Sequence, residues 1–425
     1  MKKLLEIREF DKIACNPNFK DEYAYLPKKV FDDLKEFISK SDALDFFKIA
    51  FKRNVGDIIS ASNYVGLLQM KNGYQVQVLP KIDMGTNPDK GNEETKRVFL
   101  KMLRSMKDFP NKVFNDANLN IDRMTLFEIF INIYLQEVRI IVKKGLKSAY
   151  SIMEDNLNFF KGKLVVSEQI RRNIAHGERS YVQYDEYLLD RAENRLIKTT
   201  LLKLQVLTSS AENQKEIRQL LTAFEMVSIS TNIQKDLVNV IIDRNTKDYD
   251  ILMRWSKVFL LNKSFTSFSG EQNAIALLFS MEKVFESYVA QQLKKTLLDF
   301  DWDISFQDEG YYLFDSPQQF ALRPDIVITR DDGSKIILDT KWKSLVDDQR
   351  GNYGISQSDM YQMYAYSKKY ETPEVWLLYP MNEEMRGHPD ISFYSYDGVS
   401  VRLFFVDVAK IKESLLTLRS LLITK

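Results

Sequence analysis

One short stretch of the chain carries residues that could do hydrolytic chemistry together. Arg323-Pro324-Asp325-Ile326-Val327-Ile328 is followed by Asp332-Gly333, and then by Ile336-Ile337-Leu338-Asp339-Thr340-Lys341. Asp-Gly suits a tight hairpin turn, so the two apolar runs are expected as adjacent antiparallel strands. Side chains alternate along a strand, so Asp339 and Lys341 point the same way. Asp325 opens the neighbouring strand and can approach the same end. Two carboxylates and one ammonium then converge at the rim of an apolar sheet. Hard Mg2+ takes oxygen ligands. Two carboxylates can hold it, and the ion polarises a phosphodiester and lowers the pKa of a bound water. A lysine alongside can position or deprotonate that water and stabilise developing negative charge. The plainer reading of Asp-x-Lys alone is a surface ion pair; Asp325 across a hairpin turns the pattern towards a nuclease site.

Two further features fit such a site. Glu286 lies in Met281-Glu282-Lys283-Val284-Phe285-Glu286-Ser287-Tyr288, ahead of the strands, where a helix packed on the sheet could deliver one carboxylate to the metal. Glu282 shares its helical face, and spacing alone does not choose between them. Gln362 and Tyr366 stand at i and i+4 in Asp359-Met360-Tyr361-Gln362-Met363-Tyr364-Ala365-Tyr366, so their polar tips could support the site or a DNA backbone. Solvated helix decoration is the plainer reading of all three. There is no G-x-x-x-x-G-K-[ST], so no nucleotide site of the P-loop kind is expected in this chain. No Cys/His metal spacing and no G-x-S-x-G elbow occur either.

The elements that must position these residues fall into three parts. Up to about residue 94 the chain mixes strands and helices. Val30, Phe31, Leu34, Phe37 and Ile38 recur at helical spacing and predict a helix over Lys28–Ser39. Tyr64–Met70 and Tyr74–Leu79 flank Asn72-Gly73 and predict a hairpin. The polar, Gly/Pro-punctuated stretch Met84–Glu94 marks a first boundary. Residues 95–265 are expected to be mostly helical, over Thr125–Lys144, Asn194–Leu207 and Tyr249–Leu261, with short strands at Gly162–Val166 and Tyr181–Tyr184 around the basic Arg171-Arg172. Asn262–Asn273, rich in Ser and Asn, marks a second boundary. In residues 266–425 a helix is expected from about Asn273 to Leu298. Strands follow near Asp303–Phe306, Tyr311–Phe314, Asp325–Thr329 and Ile336–Lys341. A helix over Ser356–Lys369, strands at Glu374–Leu378, Ile391–Tyr396 and Val401–Val406, and a closing helix from Val408 complete an α/β sandwich.

Composition narrows the classes. The 425 residues carry 60 Lys+Arg against 59 Asp+Glu, which excludes a polycationic coat but not a local basic groove. A single cysteine, Cys15, cannot form an intrachain disulfide and fits a reducing cytoplasm. Two histidines leave little for His-based zinc sites or catalysis. No apolar run approaches the ~18 residues of a membrane span, and Glu6, Arg8, Glu9 and Asp11 interrupt what would have to be the core of a signal peptide. A soluble, cytoplasmic protein is expected.

At Glu286, Asp325 and Asp339-Thr340-Lys341 the chain resembles the PD-(D/E)xK nuclease superfamily. The order of its motifs is similar to the McrC family, the nuclease subunits of modification-dependent McrBC restriction systems. Pro324-Asp325, Leu338-Asp339-Thr340-Lys341, Phe285-Glu286-Ser287-Tyr288 and the Asp359–Tyr366 helix carry that likeness. So do Val65-Gly66, Leu79-Pro80-Lys81-Ile82, Lys144-Gly145-Leu146, Lys161-Gly162-Lys163, Tyr184-Asp185-Glu186-Tyr187 and Asn194-Arg195-Leu196-Ile197-Lys198. Trp342 departs from the pattern, where tyrosine is commoner.

The resemblance implies a multidomain α+β fold: an N-terminal α/β domain (1–94), a mostly helical middle domain (95–265) and a C-terminal nuclease domain (266–425) with a mixed sheet flanked by helices. It implies Mg2+ held by Asp325, Asp339 and Glu286, with Lys341 as a further catalytic residue and Gln362 and Tyr366 in support. It also implies modified double-stranded DNA as substrate, and a hexameric McrB-like AAA+ GTPase that docks on the middle region and is stimulated by it. A stand-alone repair or recombination nuclease and a non-cleaving AAA+ activator are the competing readings. The long middle region argues against the first, and the intact Glu286, Asp325, Asp339 and Lys341 set against the second.

Overall fold

The six-stranded sheet that carries Asp325 and Asp339 runs in the order Asp303–Phe306, Ile326–Thr329, Lys335–Thr340, Glu374–Pro380, Ser400–Val406, Ser392–Tyr394. The first two pairings are antiparallel, the next two parallel and the last antiparallel, so the sheet is mixed. Strand alternation sends Val327, Ile337, Val375, Leu377, Leu403 and Phe405 to one face. There they form a buried cluster with Met363, Tyr366 and Tyr370 of the helix Gln357–Lys369. Ile336 and Leu338 are buried on the opposite face. The helices Met281–Thr296 and Ile411–Ile423 pack on each other, and on the strands Lys335–Thr340 and Ser400–Val406 respectively. Helices on both faces of a mixed sheet give the sheet flanked by helices that was expected for this region.

This computed structural model describes residues 3–40, 43–70, 72–82, 88–107, 109, 124–244, 246–261, 274–387 and 391–423. The chain divides into two compact units: Met1–Phe109 together with Phe265–Lys425, and Pro110–Ser264. The second-boundary stretch 262–273 lies outside the described residues, as do 84–87 of the first. From Pro88 the chain is already in the helix Pro88–Leu103.

One sequence expectation is overturned. The helix expected from Asn273 begins only at Met281, and Ala274–Ser280 is a strand. That strand pairs antiparallel with Tyr64–Met70 and completes the N-terminal sheet, in the order Leu4–Arg8, Gln75–Leu79, Tyr64–Met70, Ala274–Ser280. An apolar run of this length suits a buried strand or a buried helix turn equally well, and periodicity does not separate them. Gly66 makes the pairing possible. Its φ is +136°, and a Cβ there would lie 1.9 Å from the Leu277 carbonyl oxygen. A second N-terminal sheet runs Ala24–Tyr25, Lys12–Ala14, Gly56–Ala61, Phe47–Lys52, with the expected amphipathic helix, Lys28–Lys40, in the same domain.

The second unit is mostly helical. Leu126–Lys144, Ala192–Leu207, Ala211–Thr222 and Tyr249–Leu261 build its core, and a three-stranded sheet runs Ala149–Leu157, Ser180–Leu188, Lys163–Leu164. Thr125 caps Leu126–Lys144 by accepting from Glu128 N. The pattern gives no sign of the first strand of that sheet, covers only the first half of the second, and places the third at Gly162–Val166, where the strand is Lys163–Leu164 and Val166 already opens a helix. The Asn194–Lys198 motif is structural. Fully buried Asn194 donates to the carbonyls of Lys147 and Leu189 and accepts from the Tyr249 hydroxyl, while Arg195 pairs with Asp236 at 2.6 Å. Arg171 and Arg172 both pair with Glu168 on the exposed face of a short helix, Val166–Asn173. No helix among the described residues is long and apolar enough to cross a membrane.

Candidate active site

Strand register brings the candidate residues together. Phe306 pairs with Ile326, and Ile326 with Leu338. One step further along, Gln307, Asp325 and Asp339 stand in a row at the same end of the sheet, and Gln307 N still donates to Asp325 O at 3.0 Å. Asp339, 1% exposed, faces the Gln357–Lys369 side with Ile337. Lys341 continues past the strand end, its N donating to Leu378 O. Its Nζ lies 2.7 Å from Asp339 Oδ2 and 4.0 Å from Asp359 Oδ1, and donates to Gln362 Oε1 at 3.0 Å. Gln362 Nε2 in turn donates to the hydroxyl of buried Tyr366 at 2.6 Å. The helix that presents both starts at the Ser356 cap, whose Oγ accepts from Asp359 N.

Asp325 Oδ2 accepts from Thr340 N (2.8 Å) and Thr340 Oγ1 (2.6 Å), which fixes the carboxylate against the Asp-x-Lys strand. Gln307 Nε2 donates both to Asp325 Oδ1 (3.0 Å) and to Glu286 Oε1 (2.6 Å). That amide bridges the two carboxylates, so Glu286 is the helix glutamate the structure brings to the site. Glu282 instead accepts from Asn63 Nδ2 at 3.1 Å. The six sequence-predicted residues Glu286, Asp325, Asp339, Lys341, Gln362 and Tyr366 therefore form one connected array. Gln307 was missed, and its only sequence signal is its position one residue past an expected strand.

The electrostatics are those of acids crowded in a dry place. Burial, and then the charge of Asp325, push the Glu286 carboxyl up to about 7. Burial raises Asp325 as well, and burial followed by the Asp325 charge raises Asp339. Burial works against the Lys341 ammonium, but the facing carboxylates, Asp339 foremost, outweigh it and hold the group above its ordinary value. A divalent cation would relieve this repulsion, and the donor set is all oxygen, as a hard cation requires. Asp339 Oδ2 is fully enclosed and has the Lys341 ion pair but no well-directed hydrogen bond. Among the described residues no three acidic, Cys or His side chains yet form a closed metal cage. Gln307 and Lys341 hold the oxygens that would turn to the ion. The residues fit a metal site in which Gln307 yields.

Next to Lys341, Trp342 Nε1 donates to both carboxylate oxygens of Glu9, at 3.0 and 3.1 Å, and its ring packs on Phe285. Glu9, 1% exposed, also accepts from Lys81 N at 2.8 Å. Burial pushes its carboxyl up to about 7 in spite of these donors. The departure at Trp342 thus ties the N-terminal domain to the site.

The sequence pattern of the family described as "McrBC 5-methylcytosine restriction system component" matches residues 59–380. That span is well over half of the chain. The chain belongs to the McrBC family. No curated protein matches it. Among solved structures it is similar to a chain of the Thermococcus gammatolerans assembly of McrB AAA+ hexamers with bound McrC. The TM-score is 0.70 at 19% identity, covering 99% of this chain and 100% of that one. A cryo-EM structure of the Thermococcus gammatolerans McrBC complex matches at a TM-score of 0.46 and 21% identity, covering 69% of this chain and 88% of that one. At such identities the first likeness establishes the fold: this McrBC component has the mixed α/β architecture of that relative.

Proposed function

We propose that this McrBC component is the cutting subunit of its restriction system: a Mg2+-dependent endodeoxyribonuclease acting on modified double-stranded DNA of the 5-methylcytosine type. It works with a GTP-driven, McrB-like AAA+ partner that it binds and stimulates. The observation that carries the reading is the convergence of Glu286, Asp325, Asp339 and Lys341 on one cleft of about 990 Å3. Asp325, Asp339 and Glu286 would hold Mg2+, which when bound polarises the phosphodiester and acidifies water. The remaining work belongs to the chain. Thr340 keeps Asp325 aimed through two hydrogen bonds. Lys341, held charged by Asp339 and steered by Gln362, places a cation beside the attacked phosphate and stabilises the charge that develops on it. Tyr366 orients Gln362.

Partner docking is assigned to the middle region. Its support is the exposed apolar surface on the Ala149–Leu157 and Ser180–Leu188 strands and in the bend that follows the first of them, where Tyr150, Ile152, Phe159, Phe160 and Tyr187 face solvent. Such a patch on a soluble unit marks a protein interface. This chain is expected to bind no nucleotide itself.

The test is cleavage of methylated duplex DNA by the purified chain with its partner, GTP and Mg2+. Asp339→Ala should lower the rate by about two to three orders of magnitude while leaving partner stimulation intact. Lys341→Ala should lose rate comparably but keep Mg2+ binding by calorimetry. An Asp339→Ala chain that cuts at the wild-type rate would sink the assignment.

A further inference from the structure

The second N-terminal sheet has a feature the nuclease site does not use. Its register pairs Lys12 with Ser60 and Lys48 with the same Ser60 from the other side. The three side chains therefore stand in one row across three strands, on one face. The neighbouring row, Ile13, Ile59 and Ile49, points the other way, and Ile13 and Ile59 are fully buried in the domain core. Two strand spacings separate the lysines, about 10 Å. Both are exposed, and neither has an ion-pair partner among the described residues. This row lines the same cleft as Asp325, Asp339 and Lys341. Lys283, Arg323 and Lys343 line it from the nuclease side. On the N-terminal side one acid, Asp45, stands against the two lysines.

The position of this wall is set by covalent and hydrogen-bonded ties. The strand Ala274–Ser280 belongs to the N-terminal sheet and runs directly into the helix that carries Glu286. Met281 N donates to Asn63 O at 3.0 Å, and Asn63 Nδ2 donates to Glu282. Trp342, beside Lys341, is held by Glu9, three residues before Lys12. A row of unpaired cations held opposite metal-binding carboxylates suits a polyanion that passes between them. Duplex DNA has that charge and, in this protein, reason to be there.

We propose that the N-terminal domain is the second wall of the nuclease cleft, and that Lys12 and Lys48 hold the phosphate backbone of the duplex being cut. The proposal rests on the nuclease reading for the identity of the polyanion. The lysines position the duplex and take no part in the chemistry.

The test uses the full chain and a fluorescent unmodified duplex of about 30 base pairs, with Ca2+ in place of Mg2+ so that binding is read without cleavage. Lys12→Ala/Lys48→Ala should weaken binding about tenfold at low salt. Losing two phosphate contacts should also reduce the slope of log K against log salt by about 2. Lys12→Arg/Lys48→Arg should keep both. Lys28→Ala/Lys29→Ala, at exposed positions of the helix Lys28–Lys40 in the same domain and outside the cleft, should change neither by more than about twofold. A double alanine variant that melts like wild type yet binds with unchanged affinity and slope overturns the proposal, as does a wild-type chain that does not bind the duplex. If the lysine variant binds weakly while Asp339→Ala cuts normally, the surface stands and the catalytic assignment fails.

Discussion

Glu9 and Trp342 illustrate how one side chain's environment sets a measurable property. Trp342 Nε1 and Lys81 N donate to Glu9, yet burial dominates and raises its carboxyl from 4.5 to about 7. A carboxyl whose folded-state pKa lies above its unfolded value favours the fold fully below the unfolded value. That contribution is lost as pH rises towards the folded value. Between about pH 4.5 and 7 the wild-type chain should therefore lose stability on the order of 3 kcal/mol from this group. Glu9→Gln removes the titration and retains a carbonyl acceptor for the indole. Denaturant unfolding at pH 5 and pH 8 is expected to show a smaller loss for Glu9→Gln than for wild type, by that order. Equal losses would mean that Glu9 is solvated in the folded chain. The same physics governs Glu286 and Asp339, with the difference that a bound cation would restore their charged forms.

Among the elements, the strand Ala274–Ser280 has the widest consequences. It closes the N-terminal sheet and then becomes the helix that aims Glu286. Its approach depends on Gly66, where any side chain would meet the Leu277 carbonyl and the positive φ would strain an L residue. Gly66→Ala should cost about 3 kcal/mol in urea unfolding, since the main chain on both sides is held in a ladder and cannot yield cheaply. A variant within about 0.5 kcal/mol of wild type would mean that the strand pairing is not retained in solution. Helix Gln357–Lys369 works at the same scale. Its Ser356 cap and i, i+4 spacing put Gln362 and Tyr366 on the site side, and burial of Met363 and Tyr366 in the sheet's core cluster keeps them there.

At the scale of the whole molecule, the two compact units suggest a separation of labour. The unit Pro110–Ser264 has its own buried core and its own polar ties, such as the Glu128 carboxylate accepting from Thr208, Ser209 and Asn213. It holds none of the cleft carboxylates. If it carries the partner interface, a 110–264 fragment should still raise GTP turnover by the purified partner, because phosphoryl transfer responds to how water and charge are positioned in the partner's own site. The full-length Asp325→Ala chain should stimulate at the wild-type level. Phosphate release with each protein added is the measurement. A folded fragment without effect, or GTP hydrolysis by the isolated chain, would overturn this division.

The local pattern alone carried the hairpin around Asp332-Gly333, the alternation that aligns Asp339 with Lys341, and the i, i+4 pair Gln362 and Tyr366. Each depends on neighbours in the chain and on fixed backbone periods. Tertiary structure decided what depends on pairing between distant segments. It assigned Ala274–Ser280 to a strand, because the partner ladder lies some two hundred residues earlier in the chain. It selected Glu286 over Glu282, because Gln307 meets one and Asn63 the other. It brought Glu9 to Trp342, and Lys12 and Lys48 to the cleft, because strand order and register are set by which apolar faces can be buried together. No local spacing encodes that choice.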